Sequence, residues 1–212
     1  MQHEDCNSWD YETHPQVAAV ADWCRLFLEQ LRQDPFCKVP VLQDTRPFHA
    51  GMFQDVVPKA CPYIAGNYRG SAYPCLQKCT VSFGPHQGTY PVGVDGAMAL
   101  FHKDLEDAFG ELDAARGDTL KPLAPAVFMV RLVQILAATL TRFLTIHPYM
   151  NGNGHIGRLL VWCGLGRYGR LPLKWWLNNK PPATFNYGHL LSQHRSGNRK
   201  PLESFLLKCI VG

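Results

Sequence analysis

Apolar residues recur at three- and four-residue steps from Gln16 to Gln33, where Val17, Val20, Ala21, Cys24, Phe27, Leu28 and Leu31 form one stripe. That spacing predicts an amphipathic helix, which Pro35 is expected to stop. Asp95 has the chemistry of an N-cap for a second helix through about Leu112, with Met98, Phe101, Leu105 and Phe109 on its buried side. From Pro125 to about Ile146 the apolar residues run nearly round the whole circumference, the pattern of a helix at the centre of a bundle. Helical spacing resumes from Ile156 to Tyr168 through Leu159, Leu160, Cys163 and Leu165, and Gly169 and Pro172 end it. Phe185 to Gln193 and Pro201 to Ile210 read as two shorter helices.

Between the first two helices the pattern changes. From Pro40 to Pro74 prolines and glycines are dense, so loops are expected, with a short helix near Met52 to Val57. Lys78 to Phe83 alternates polar with β-branched or aromatic residues, and after Gly-Pro-His-Gln-Gly the segment Thr89 to Val92 is its expected partner in a small hairpin. The fold class is therefore mainly α with one hairpin, and no internal repeat or low-complexity segment interrupts it.

Composition narrows the function classes. With 212 residues, 46% hydrophobic and 18% charged, the chain has the makings of one folded core and not of a disordered segment. A formal charge of +4, without a run of like charges, gives no support for nucleic-acid binding. Arg131, Gln134 and Arg142 interrupt the longest apolar stretch, so a buried helix is expected there and no membrane partner. The start of the chain, acidic and aromatic, lacks the basic and apolar regions of a secretory signal. Eight cysteines are scattered over the chain; Cys75 and Cys79 stand four apart without a second pair, so free thiols are expected in place of a zinc site. Reduced thiols and no signal point to the cytoplasm, although an effector exported by a dedicated machine has the same features.

One run carries chemistry: His147-Pro-Tyr-Met-Asn-Gly-Asn-Gly-His-Ile-Gly-Arg158. Gly152 and Gly154 stand just before a helix, where unbonded N–H groups and the positive end of the helix dipole favour an anion, phosphate above all. The amide of Asn153 is a neutral donor beside them, and Arg158 adds a charged fork one turn later. His147, at the end of the preceding helix, is placed as a base with a pKa near neutrality. Tyr149 is expected to anchor the loop to the core. Taken singly, each of these is more ordinary: Asn-Gly is a turn, a terminal His a cap, an Arg a surface ion pair. The functional reading rests on all of them falling within twelve residues.

This run resembles the Fic family motif, HxFx(D/E)GNGRxxR, with His147, Gly152, Asn153, Gly154 and Arg158 in register. Tyr149 replaces the aromatic Phe, Asn151 the acidic residue and His155 the first arginine. Gly66-Asn67-Tyr68-Arg69-Gly70 is similar to the Gly-x-Tyr-Arg segment that precedes the family's hairpin flap. The resemblance implies the Fic (Fido) helical bundle over residues 45–175, with 1–44 as an N-terminal helical extension and 176–212 as a C-terminal segment packed on the core. It implies transfer of AMP, or a related phosphate-containing group, from ATP to a Ser, Thr or Tyr hydroxyl of a target protein. In that scheme His147 is the catalytic base, and Asn151, Gly152, Asn153, Gly154, His155 and Arg158 bind the nucleotide's phosphates. Asn151 stands where a carboxylate usually holds Mg²⁺, so the metal would be weakly held. The hairpin would align the target chain by strand pairing.

Two contrasts refine the expectation. The kinase-like Doc type carries Lys at the position of Gly154 and lacks the second arginine, so nucleotidyl transfer is favoured over phosphorylation. None of the six glutamates precedes Gly or Asn, as the family's inhibitory Ser/Thr-x-x-x-Glu-Gly/Asn motif requires. The alternative is a catalytically weak Fic-fold module that binds a nucleotide or a partner, with an antitoxin or a second copy of the chain as candidate partners. Asn151 and His155 divide the two readings.

Overall fold

The computed structural model describes residues 9–83, 86–121 and 123–212. Its long helices are α1 (Ala18–Gln33), α4 (Val94–Gly117), α5 (Pro125–Ile146) and α6 (Asn153–Gly166), with shorter α2 (Arg46–Phe53), α3 (Pro74–Gln77), α7 (Tyr187–Arg195) and α8 (Lys200–Val211) between and after them. α5 has the predicted bounds, since Pro125 sits at the first turn, where its missing N–H is no loss. α1 ends as predicted, but the chain then continues as a 3₁₀ helix over Pro35–Leu42, with the Asp34 carboxylate accepting from Phe36 N. Pro35 stops the α-helix without ending helical turns.

Three local expectations shift. The short helix lies at Arg46–Phe53, earlier than Met52 to Val57, because Pro47 is a good first-turn residue. Asp95 lies inside the first turn of α4 and is not its cap; Gly93 holds that place. The hairpin pairs Ser82 with Gln87 and Phe83 with His86, so its strands are β1 (Ser82–Phe83) and β2 (His86–Gln87), and Thr89 to Val92 is not the partner strand. Pro91 instead opens a 3₁₀ turn over Pro91–Gly93, a use that suits its fixed φ and missing donor. Part of the expected turn, Gly84 and Pro85, lies outside the described residues.

α5 packs chiefly against α6 and α4, and on α8 and α7 beyond them. Two glycines let α6 approach α5 on one side and the 3₁₀ helix on another. A Cβ on Gly164 would come within 2.4 Å of Leu136 on α5, and one on Gly166 within 2.4 Å of the Pro35 carbonyl oxygen. α6 is consequently buried on nearly every side, from Asn153 to Gly166. α5 is less enclosed than its composition suggests, since Val127 and Val130 are exposed. It is long and apolar enough to cross a membrane, but 61% of its apolar stretch is buried in the fold, as for a core helix. The main core draws on residues from Tyr11 to Ile210, so both flanking segments contribute to it. A smaller cluster of Val57, Cys61, Ile64, Cys75 and Leu76 packs against Met150 and Trp9.

Cys75 is disulfide-bonded, against the expectation of free thiols, whereas Cys24, Cys37, Cys61, Cys79, Cys163 and Cys209 are free.

Candidate active site

α5 cannot continue past Ile146, because the residue before a proline is crowded out of the right-handed helical region. His147 answers by turning left-handed, at φ +53° and ψ +59°. That conformation is uncommon for a residue with a Cβ, and it is held from outside. Arg69 donates from Nη2 to the Ile146 carbonyl at 3.1 Å, from Nε to the His147 carbonyl at 2.8 Å and from its backbone N to the Pro148 carbonyl at 2.8 Å. The same guanidinium reaches the hairpin's two ends, through Nη1 to the Cys79 carbonyl at 2.8 Å and Nη2 to the Thr89 carbonyl at 3.0 Å.

The His147 ring is half-buried and lies parallel to Phe83 of β1, with centroids 5.0 Å apart and planes 9° apart. Arg195, at the end of α7, stands over the Phe83 ring, 4.7 Å from its centroid. Nδ1 of His147 is 3.3 Å from the Leu144 carbonyl. A carbonyl only accepts, so this contact assigns the proton to Nδ1 and leaves the Nε2 lone pair available. Burial foremost, with the charges of Arg69 and Arg195, pushes the imidazole down to about 4 although the Leu144 carbonyl favours its protonation. At neutral pH it is an uncharged acceptor.

The loop after His147 is closed by Asn153. Its Oδ1 accepts from Tyr149 N at 2.9 Å and its Nδ2 donates to the Tyr149 carbonyl at 2.8 Å. Asn153 was expected to offer its amide to phosphate; both ends of that amide are committed to the loop. Tyr149 is fully buried, as an anchor should be, with its hydroxyl 2.7 Å from Thr45 Oγ1 and its ring stacked on His49 at 3.8 Å. Asn151 Oδ1 accepts from Gly152 N at 2.8 Å, which occupies one of the expected anion donors and turns Asn151 inward. Gly152 has φ +77°, and a Cβ there would meet the Phe53 ring at 2.4 Å, so glycine is required on both counts.

What remains for an anion is the first turn of α6. The N–H groups of Asn153 and Gly154 begin that helix and have no carbonyl of their own turn to bond. Nη1 of Arg158 lies 3.1 Å from where a Cβ on Gly154 would stand, so a guanidinium nitrogen overhangs the same turn. The rest of the Arg158 fork is not free. Nε donates to the Leu177 carbonyl at 2.9 Å and Nη2 to the Asn178 carbonyl at 3.2 Å, so the expected two-pronged grip on phosphate is reduced to one nitrogen.

His155 departs furthest from expectation. It is buried, with its ring against Phe53 and Tyr11 and its Nδ1 3.4 Å from the Tyr11 hydroxyl. Burial first, then the Arg158 charge, holds it down at about 3, so at neutral pH it supplies no positive charge in place of the missing arginine. No group of three His, Cys, Asp or Glu side chains able to hold a metal occurs among the described residues. Asn151 faces its own loop, so the residues present do not fit a protein-held Mg²⁺.

Four contributors escaped the sequence reading. Arg69, in the segment Gly66–Gly70, is wholly buried without a carboxylate. His49, also wholly buried, accepts from Gly66 N at its Nδ1 (2.9 Å), so its Nε2 donates to the Asn151 carbonyl (3.1 Å). Burial holds it down at about 3. Tyr11 and Phe83 close over the two ends of the loop from segments distant in sequence. Only Arg69 left a usable signal, an arginine among glycines and aromatics with no acidic residue nearby.

No family model matches the chain, and no curated protein is similar enough to count as a relative. Among solved structures, a Fic domain containing signaling protein from Bacteroides thetaiotaomicron superposes with a TM-score of 0.60. The match covers 91% of this chain and 68% of that one, at 20% identity. The chain thus has the Fic fold, a helical bundle with a small hairpin.

Proposed function

We propose that the chain is a Fic-type nucleotidyl transferase, moving AMP or a related phosphate-containing group from ATP to a Ser, Thr or Tyr hydroxyl of a target protein. The observation that carries this reading is the state of His147: neutral, with Nδ1 on the Leu144 carbonyl and Nε2 left as the acceptor. In the proposed step Nε2 takes the proton of the target hydroxyl. The hydroxyl oxygen bonds to the α-phosphorus as the bond to the diphosphate breaks, and diphosphate leaves with its electron pair. The N–H groups of Asn153 and Gly154, with Arg158 Nη1, would face the phosphates, and the target chain would lie along the hairpin. Mg²⁺ would arrive with the nucleotide, on its phosphates and water, since the chain offers it no carboxylate there.

A second reading has its own support. Arg158 has two donors on backbone carbonyls and Tyr11 lies against His155, so half of the motif is closed by the chain itself. That favours a catalytically weak Fic-fold module that binds a nucleotide or a partner. Incubation with ATP labelled on the α-phosphate and a cell lysate separates the two. Label on protein that disappears with His147→Ala supports transfer; ATP binding by calorimetry without label supports the module.

A further inference from the structure

Arg69 is the largest fully buried side chain among the described residues, and its charge faces carbonyl oxygens in place of a carboxylate. Burial lowers its affinity for the proton, yet a guanidinium keeps its charge under all ordinary conditions. Such a group belongs in a core only if its donors are satisfied, and its planar fork makes the geometry it satisfies rigid. With its own backbone N–H, Arg69 bonds the consecutive carbonyls of Ile146, His147 and Pro148, which bracket the left-handed residue. Its other bonds go to Cys79 and Thr89, either side of the hairpin. Thr89 N also donates to the Ile146 carbonyl at 3.2 Å, so hairpin and helix end share one bonding unit.

We propose that Arg69 is the positioning residue of the site: one guanidinium sets the aim of the His147 imidazole and the seat of the hairpin together, so that neither moves without the other. The proposal rests on the reading of His147 as the base, but it concerns where that imidazole points, which is measurable whether or not transfer occurs. A chain docking along the hairpin pulls on the Cys79 and Thr89 carbonyls, and through Arg69 that pull reaches the backbone of the base. The hairpin thereby acts on the imidazole through the backbone as well as through the Phe83 ring stacked on it. Lysine at position 69 would keep a charge but has no planar fork, and one ammonium cannot span carbonyls on both sides of the turn.

Nitrogen-15 NMR of the histidine rings in the full-length protein tests this, reading tautomer and titration midpoint residue by residue. In the parent, His147 is expected as the Nδ1–H tautomer with a midpoint near 4. In Arg69→Lys the bond to Leu144 loosens: His147 becomes a mixture of tautomers and its midpoint rises toward that of a free histidine, while His49 keeps its Nε2–H signature. A folded Arg69→Lys protein in which His147 keeps its tautomer and midpoint overturns the proposal. Should that variant fail to fold, Gly88→Ala presses on the same unit without removing the charge. Its Cβ would stand 3.1 Å from His147 Cβ, 3.2 Å from Arg69 Nη2 and 2.8 Å from Val81 Cγ2. The same displacement of the His147 signals is expected there, and their constancy would equally overturn the proposal. If tautomer and midpoint behave as expected but the parent transfers no label, the base reading fails and the positioning role stands.

Discussion

His147 and His155 lie at opposite ends of one loop, and burial keeps both neutral at physiological pH, but their surroundings differ. His147 is half-buried, with one nitrogen fixed and the other open, on a backbone pinned from outside. His155 is packed among Phe53, Tyr11 and the Arg158 charge, as a core residue is. The first end is arranged as a site and the second as an interior. A motif match alone treats them as equals; the hydrogen bonds separate them.

The largest test of that contrast is His147→Ala, which should reduce transfer by roughly 10²–10⁴-fold, the usual contribution of a general base, while leaving ATP affinity and melting temperature nearly unchanged. A variant that labels targets at the parent rate would remove His147 from the chemistry. At the other end Arg158→Ala should act first on stability, because it orphans the Leu177 and Asn178 carbonyls as well as removing Nη1 from the α6 turn. A loss of about 3 kcal/mol is expected, or a melting temperature lower by roughly 6–12 °C. ATP affinity should weaken in the same protein, and unchanged melting would contradict the interior reading of this end.

Acid sharpens the comparison further. His49, His147 and His155 are held at about 3, 4 and 3, below the ordinary histidine value of 6.5, mainly by burial. Between those values the unfolded chain binds protons that the folded chain refuses, so stability present above pH 6.5 is lost as pH falls toward 3 to 4. Each contributes up to about 1.4 kcal/mol per pH unit in that window. Urea unfolding from pH 7 to 4.5 should show the decline, and His155→Asn should flatten it by about one proton. An equal slope in parent and variant would mean that His155 is not buried neutral.

The smallest effect is expected at Asn151. Asn151→Asp keeps the acceptor for Gly152 N and adds a charge near the α6 terminus, so the fold should be at least as stable. The Mg²⁺ concentration for half-maximal transfer should fall severalfold, because the metal gains a charged oxygen. Mg²⁺ titration against labelled-AMP incorporation measures it, and identical curves would leave position 151 without a role in metal binding.

Much of this was legible in the sequence, and the division has a physical cause. α5 and the helix pair around the motif follow from periodicity and proline placement, which are local properties. Tyr149 as the loop's apolar anchor was legible from its own chemistry, and it is buried as expected. The engagement of Asn153, His155 and Arg158 was not legible, because their partners are backbone atoms or residues far along the chain, such as Leu177 and Tyr11. Backbone carbonyls leave no trace in a residue pattern. The hairpin register failed for a related reason: alternation identifies a strand but not its partner residue, and Pro91 was better used in a turn.

The Asn153 amide, bonded to both the N–H and the carbonyl of Tyr149, completes a ring of backbone that stands before any ligand arrives. A loop so closed has already given up its conformational entropy at folding, where each fixed residue costs roughly 1–2 kcal/mol, and does not give it up again at binding. A guest of the kind proposed would therefore be selected by curvature and charge, not accommodated. An anion of different radius would meet a cradle that does not reshape, and association would be governed by encounter and desolvation instead of by loop ordering.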